Sequence, residues 1–394
     1  MKKLTSFITF SIAFTIFSCS SSDSVSTPTE TYPNVIAAFS GKIDLNNLSN
    51  YATQSKPAYI TKDNTARNPI TDKGATLGRV LFYDKNLSSN NTISCASCHI
   101  QANAFGDDTD ASDGVNGTTT RHAMRLVNSR FSNETKFFWD ERATTLEAQT
   151  SQPIQNHIEM GFSGTIGDGS ITTLITKLQA IGYYKELFKY VYGSEEITET
   201  KLQNALAQFI RSIQSFDSKY DTGRAAVQND NQPFSNFTAQ ENQGKNLFLT
   251  PPVFDTSGVR ISGGFGCAGC HAPPEFDIDP NTKNNGVIGV LNGTGIDITN
   301  TKAPSLRDLL NANGTPNGPM MHTGSFATLQ NVIGHYGTIT IAPRNTNLDP
   351  RLTPSGFGQQ LNINATEVTA LIAFIKTLTG TNVYTDPKWS SPFK

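Results

Sequence analysis

Two pentapeptides in this chain carry residues whose types and spacing can do chemistry: Cys95–Ala96–Ser97–Cys98–His99 and Cys267–Ala268–Gly269–Cys270–His271. Two thiols three positions apart, followed at once by an imidazole, suit covalent attachment of a c-type haem, with the histidine as iron ligand. Two other readings compete. Four cysteines in an exported chain suggest disulfides, but these pairs are too close in sequence for a framework, and each is followed by histidine. Zinc would need both pairs to converge on one ion. Two such motifs in one exported chain favour two haems.

The N-terminus supports export. Lys2 and Lys3 precede an apolar stretch from Leu4 to Phe17, and Ser18–Cys19 is followed by Ser20–Ser21–Ser22–Asp23–Ser24. The spacing predicts a lipoprotein signal peptide over 1–18 with Cys19 lipidated, and hence a periplasmic or cell-envelope protein anchored there. Plain secretion with Cys19 removed is the alternative. The first eighteen residues hold two lysines and no acids, which leaves 29 basic against 33 acidic residues, a net charge of −4. That balance argues against nucleic acid as a partner.

Holding two haems requires a frame, and the chain uses one frame twice. Gly78–Arg79–Val80–Leu81–Phe82 before the first motif returns as Gly244–Lys245–Asn246–Leu247–Phe248 before the second. Trp139–Asp140–Glu141–Arg142 aligns with His322–Thr323–Gly324–Ser325, and Phe209–Ile210–Arg211–Ser212–Ile213 with Phe374–Ile375–Lys376–Thr377–Leu378. Leu202, Leu206, Phe209, Ile210 and Ile213 share a helical face, as do Val368, Leu371, Ile372, Ile375 and Leu378. Asn364 followed by Glu367 has the form of a capping box. Helix, haem motif, long loop and amphipathic closing helix form the pattern of a cytochrome c domain. The expected fold is mainly α, with two cytochrome c-like haem domains related by internal duplication and long loops. Residues 56–225 and 226–394 are the two domains, and 19–55 a tether and irregular lead-in.

The repeat also bears on the irons. Fourteen residues beyond Trp139 stands Pro153, and fourteen beyond His322 stands Tyr336. Proline cannot ligate iron and tyrosine can, so the first haem is expected open and the second capped by Tyr336. His335, Met320 and Met321 are the alternative ligands.

These segments resemble the bacterial dihaem cytochrome c peroxidases and their MauG-type relatives from about residue 57 onward. Phe138–Trp139–Asp140–Glu141–Arg142–Ala143 resembles that family's F-W-D-G-R-A, with Glu141 replacing the glycine. Gln149, Pro153, Glu159 and Met160 stand at its spacing. Ala303–Pro304–Ser305–Leu306–Arg307 and Met321–His322–Thr323–Gly324 resemble T-P-S-L-R and M-H-D-G. The resemblance implies a peroxidatic N-terminal haem and an electron-transferring C-terminal haem, with Tyr336 in the axial position that such relatives fill with methionine or tyrosine. It implies Glu159 as general acid–base with Gln149 in the same pocket, and Trp139 as electron relay between the haems. The loop from Gly106 to Thr120 lacks the histidine that caps the first haem of ordinary relatives; His122 is the remaining candidate for a reversible ligand. His157 reads as a surface or hydrogen-bonding residue, and His322 as support for the second haem. The resemblance further implies a calcium ion at the domain junction, held by carbonyls at Asn317 and Pro319. There His122 replaces an asparagine, and histidine is a poor ligand for a hard cation. The expected reaction is reduction of hydrogen peroxide to water with electrons from a small periplasmic cytochrome c or cupredoxin. A MauG-type oxidase acting on a protein or organic substrate, and a dihaem electron carrier, are the competing readings. Such relatives are often homodimers, though no interface is legible here.

Overall fold

A helix pair anchors each haem motif. Helix α1 spans Pro33–Phe39, α2 Asp72–Tyr83, α3 Cys95–Cys98, α4 Leu146–Thr150, α5 Ile171–Gln179, α6 Gly182–Tyr192 and α7 Glu199–Ser212. Then follow α8 Lys219–Ala225, α9 Ala239–Leu249, α10 Leu329–Gly337 and α11 Ala365–Lys376. The computed structural model describes residues 1, 31–133, 136–278 and 282–393, so the expected lipidation site at Cys19 lies outside the described residues. Residues Tyr32–Lys394 form one compact unit.

In the first half, α2 packs against α7. The Thr71 hydroxyl caps α2 by accepting from the Gly74 N–H at 2.9 Å, and Thr198 caps α7. A Cβ on Gly78 would overlap the Ala205 carbonyl, so only glycine lets the two backbones approach this closely. The second half pairs α9 with α11, each opened by a reciprocal capping box, Thr238 with Glu241 and Asn364 with Glu367. There a Cβ on Gly244 would overlap the Ala370 carbonyl. Phe82 meets Phe209 at 5.1 Å between ring centroids, and Phe248 meets Phe374 at 5.3 Å. Each ring pair lies within its own buried cluster. Among the described residues the strands form three two-stranded ribbons and no larger sheet. Arg307, fully buried, joins α8 to the second haem loop by donating to Asp221 at 2.9 and 3.0 Å and to the Pro274 carbonyl at 2.7 Å.

Two elements differ from the expectation. Within the stretch read as an irregular lead-in, α1 buries Val35 and Phe39. Its first N–H groups are capped from α6, where Glu186 accepts from Asn34 at 3.1 Å and Val35 at 2.9 Å. A helix stabilised by a residue about 150 positions away leaves no local signature. At the other end, Val383 and Trp389 belong to the first-half core, not the second. The Tyr83 hydroxyl donates to the Trp389 carbonyl and Arg79 Nε to the Ser390 carbonyl, both at 2.7 Å.

Candidate functional site

Each Cys-x-x-Cys-His motif borders a cavity. The first is about 240 Å³. Its floor is α3, whose N-terminus is closed by the reciprocal Ser94–Ser97 pair, and its wall carries Cys95, Cys98 and His99. His99 Nδ1 faces the Phe105 carbonyl at 3.1 Å. A carbonyl can only accept, so Nδ1 carries the proton and Nε2 keeps its lone pair. Burial pushes the His99 imidazole below its ordinary pKa, which favours that neutral, ligand-competent form.

Gln149, Pro153 and Glu159 line the same cavity. Gln149 sits on α4, and Pro153 in the turn that follows. The Asn156 side chain fixes the next segment by accepting from the Ile158 and Glu159 N–H groups at 2.9 and 3.1 Å. Burial pushes the Glu159 carboxyl above the ordinary carboxylate range, partly offset by the positive charge of Arg142. Arg142 lies 3.5 Å over the Phe138 ring and donates to Asp140 at 2.8 Å. The histidine-free loop is fastened alongside: Val115 N–H donates to the Glu159 carbonyl at 3.0 Å and Asn116 N–H to the Ile158 carbonyl at 3.1 Å. Neither Val115 nor Asn116 lines the cavity. His157 lies outside it, paired with Asp168 at 2.9 Å.

The second cavity, about 450 Å³, is bordered by Cys267, Cys270, His271 and Tyr336. His271 Nδ1 faces the Pro304 carbonyl at 3.0 Å, and burial pushes its pKa down to about 4. Its Nε2 is therefore also free to ligate. Tyr336 projects from α10, and burial pushes its phenol above the ordinary value. The phenol would therefore ionise only beside a cation. Asn285 donates from one amide nitrogen to the Tyr336 hydroxyl at 3.3 Å and to Met321 Sδ at 3.4 Å. Sequence reasoning missed Asn285, which lies 51 positions from the tyrosine it touches. Of the alternative ligands, Met320 and Met321 line the cavity. His335 does not, and its Nε2 is held by the Asn285 carbonyl at 2.9 Å.

Trp139 lines both cavities and is 9% exposed. Its indole N–H donates to the His122 carbonyl at 2.7 Å, and its ring centroid lies 6.3 Å from that of buried His322. His122 also borders both cavities, with Nδ1 donating to the Thr109 carbonyl at 2.9 Å. Glu141, in the position of the motif glycine, takes the left-handed φ of +59° that glycine adopts freely. Its carboxylate is tied down by Thr282 at 3.4 Å and Asn300 at 3.1 Å. Around the junction read as a calcium site, the Asn317 amide donates to the Asp308 carbonyl at 2.7 Å and the Tyr384 hydroxyl at 2.9 Å. Pro319 lines the second cavity. Among the described residues no three His, Cys, Asp or Glu side chains cluster to hold a metal ion.

A haem brings a broad apolar plate and two carboxylates. Phe82, Ile93 and Leu146 line the first cavity, and Phe248, Leu371 and Ile375 the second. Three buried polar atoms in the walls lack partners, Arg125 Nε, Ser129 Oγ and Asp277 Oδ2, and the first two are donors suited to a carboxylate. With an ungripped imidazole nitrogen in each cavity, the residues fit two haems. Fold and site together define a helical protein that carries a pair of haems.

The comparisons agree. Residues 72–230 match the family described as di-haem cytochrome c peroxidase. The chain is 30% identical over 322 residues to the methylamine utilization protein MauG of Methylophilus methylotrophus, covering 79% of this chain and 84% of that one. It is 29% identical over 320 residues to the cytochrome c551 peroxidase of Nitrosomonas europaea, covering 78% and 80%. The crystal structure of a MauG-like protein associated with microbial copper homeostasis superposes with a TM-score of 0.67 at 28% identity, covering 86% of this chain and 99% of that one. The chain belongs to the di-haem cytochrome c peroxidase and MauG family, and is an oxidoreductase of that peroxide-using kind.

Proposed function

We propose that this protein reduces hydrogen peroxide to water in the first cavity, with electrons that enter at the second. The observation carrying the reading is the unequal furnishing of two similar cavities. Gln149, Pro153 and Glu159 gather beside His99, whereas Tyr336 stands beside His271. Cys95 and Cys98 attach one haem by thioether bonds and His99 ligates it; Cys267, Cys270 and His271 do the same for the other. The bound haems supply the electrons that break the O–O bond, two per peroxide, with two protons taken up and two waters formed.

The protein's part is protons, positioning and exclusion. Pro153 offers no ligand atom and leaves room for peroxide. Glu159, as carboxylate, takes a proton from one peroxide oxygen and returns it to the other, so that the leaving oxygen departs as neutral water. Gln149 orients the peroxide through its amide. Trp139 spans the wall between the cavities as the electron path, its indole held by the His122 carbonyl. Tyr336 caps the second site. The matching helix pairs, each crossing at a glycine, support an origin of the two halves by internal duplication. The signal segment over 1–18, followed by Cys19, supports a lipid-anchored envelope protein that meets a small cytochrome c or cupredoxin there.

One observation favours a second reading. A phenolate ligand stabilises oxidised iron, so Tyr336 makes the second site a weaker electron acceptor than a methionine would. That suits an oxidase of the MauG type, which draws electrons from a protein or organic substrate. Steady-state turnover decides between them. Appreciable peroxide consumption with reduced cytochrome c, without prior reduction of the enzyme, is expected; negligible turnover would overturn the peroxidase reading in favour of the oxidase.

A further inference from the structure

Two cations, Arg125 and Lys302, border both haem sites, and Lys302 Nζ donates to the Lys136 carbonyl at 2.7 Å. Arg125 borders both cavities and stands between the supports of the two motif histidines. On one side, the neighbouring Leu126 N–H donates at 3.3 Å to the Phe105 carbonyl, the acceptor of His99 Nδ1. On the other, Arg125 Nη2 donates at 3.0 Å to the Ser305 carbonyl, next to Pro304, which holds His271 Nδ1. A second donor nitrogen, Nε, is buried and has no partner.

The surrounding charges leave this guanidinium uncompensated. Its strongest favourable interactions are with Asp308 and Tyr384, and burial still pulls its pKa down to about 10. The Asp308 carboxylate is spent on the Gly380 N–H at 2.8 Å and the Tyr384 hydroxyl at 3.2 Å, and its other oxygen has no partner. A buried cation lacking an anion is costly, so a site that keeps one is built to receive an anion.

Resting on the dihaem reading above, we propose that Arg125 is the shared electrostatic anchor of both haems, taking a haem carboxylate through Nε while its charge acts on both irons. It is a positioning residue, touching neither peroxide nor the breaking bond. A cation near an iron disfavours the oxidised state and raises the reduction potential. One residue therefore tunes two potentials in the same direction.

The test is a potentiometric titration of the purified dihaem protein, following each haem by its own absorption bands. In Arg125→Gln both midpoint potentials are expected to fall, each by enough to change the oxidised-to-reduced ratio roughly tenfold, about 59 mV for a one-electron couple. A fall at one haem alone, or at neither, overturns the proposal and leaves Arg125 as a structural partner of Asp308. If the glutamine variant does not mature with two haems, Arg125→Lys keeps the charge but loses the Nε donor. It should hold both potentials near wild type while shifting the resonance Raman bending bands of the haem carboxylates, and unchanged bands overturn the proposal. Wild-type protein that lacks two haems by pyridine haemochrome absorbance would instead sink the dihaem reading itself.

Discussion

The two cavities are built alike as far as the histidine and diverge beyond it. Both begin at a Cys-x-x-Cys-His motif, both orient the imidazole through Nδ1 on a backbone carbonyl, and both rest on helices that cross at a glycine. Past that point the first carries Pro153 and a half-buried Glu159, and the second carries Tyr336, Asn285 and Met321. The shared part is what any ligated haem needs: a neutral ligand and a rigid wall. The divergent part sets what happens at the sixth position. On the function proposed above, a short segment downstream of the common frame makes one site reactive and its twin a relay.

Five substitutions test this contrast, and the largest effect is expected at Glu159. Glu159→Gln should lower kcat/KM for peroxide by about 10²- to 10³-fold without loss of haem. Its pH profile should change as well. Burial raises the carboxyl pKa, so wild-type activity should fall on the acid side at a pH above that of an ordinary glutamate, as the required carboxylate is protonated. Glutamine cannot titrate, and persistence of that acid limb in Glu159→Gln would assign it to another group. Next, Tyr336→Met should raise the potential of the second haem by on the order of 100 mV and leave the first nearly unchanged. An unmoved potential in a redox titration would strike Tyr336 from the ligand set and return Met321 to it. The reciprocal change, Pro153→Met, should give the first haem a sixth ligand and slow peroxide or cyanide binding by roughly tenfold or more; stopped-flow rates equal to wild type would mean the proline does not face the iron. The smallest effect concerns the common frame. Gly78→Ala and Gly244→Ala should each destabilise by about 1–3 kcal/mol, because a methyl must force two helix backbones apart. Thermal unfolding that distinguishes the two strongly would show that the halves are not framed equivalently.

Much of this contrast was legible in the sequence because it is written locally. The haem motifs, the capping box of Asn364 and Glu367, the apolar faces of α7 and α11, and the pairing of Pro153 with Tyr336 all sit within a few turns of one another or repeat at a near-constant offset. What stayed hidden depends on contacts between distant segments. Asn285 meets Tyr336 only because a long loop folds back over α10. Arg125 belongs to no motif in the sequence, and its place follows from the two cavities that close on either side of it. Helix α1 borrows its cap from Glu186, and Glu141 keeps a backbone conformation suited to glycine because Thr282 and Asn300 hold its carboxylate. None of these leaves a periodic trace, since each requires the fold to exist first.

The closing segment around Trp389 carries a consequence for how the protein is made. Synthesis runs from the N-terminus, and N-terminal domains generally fold first, as units. Here the core of the first half includes Val383 and Trp389, and Arg79 and Tyr83 bond to the backbone of residues beyond the last long helix. The half that emerges first is therefore completed last. Its haem motif leaves the ribosome long before the chain that seals its core, and the two halves, separable on paper, reach maturity together.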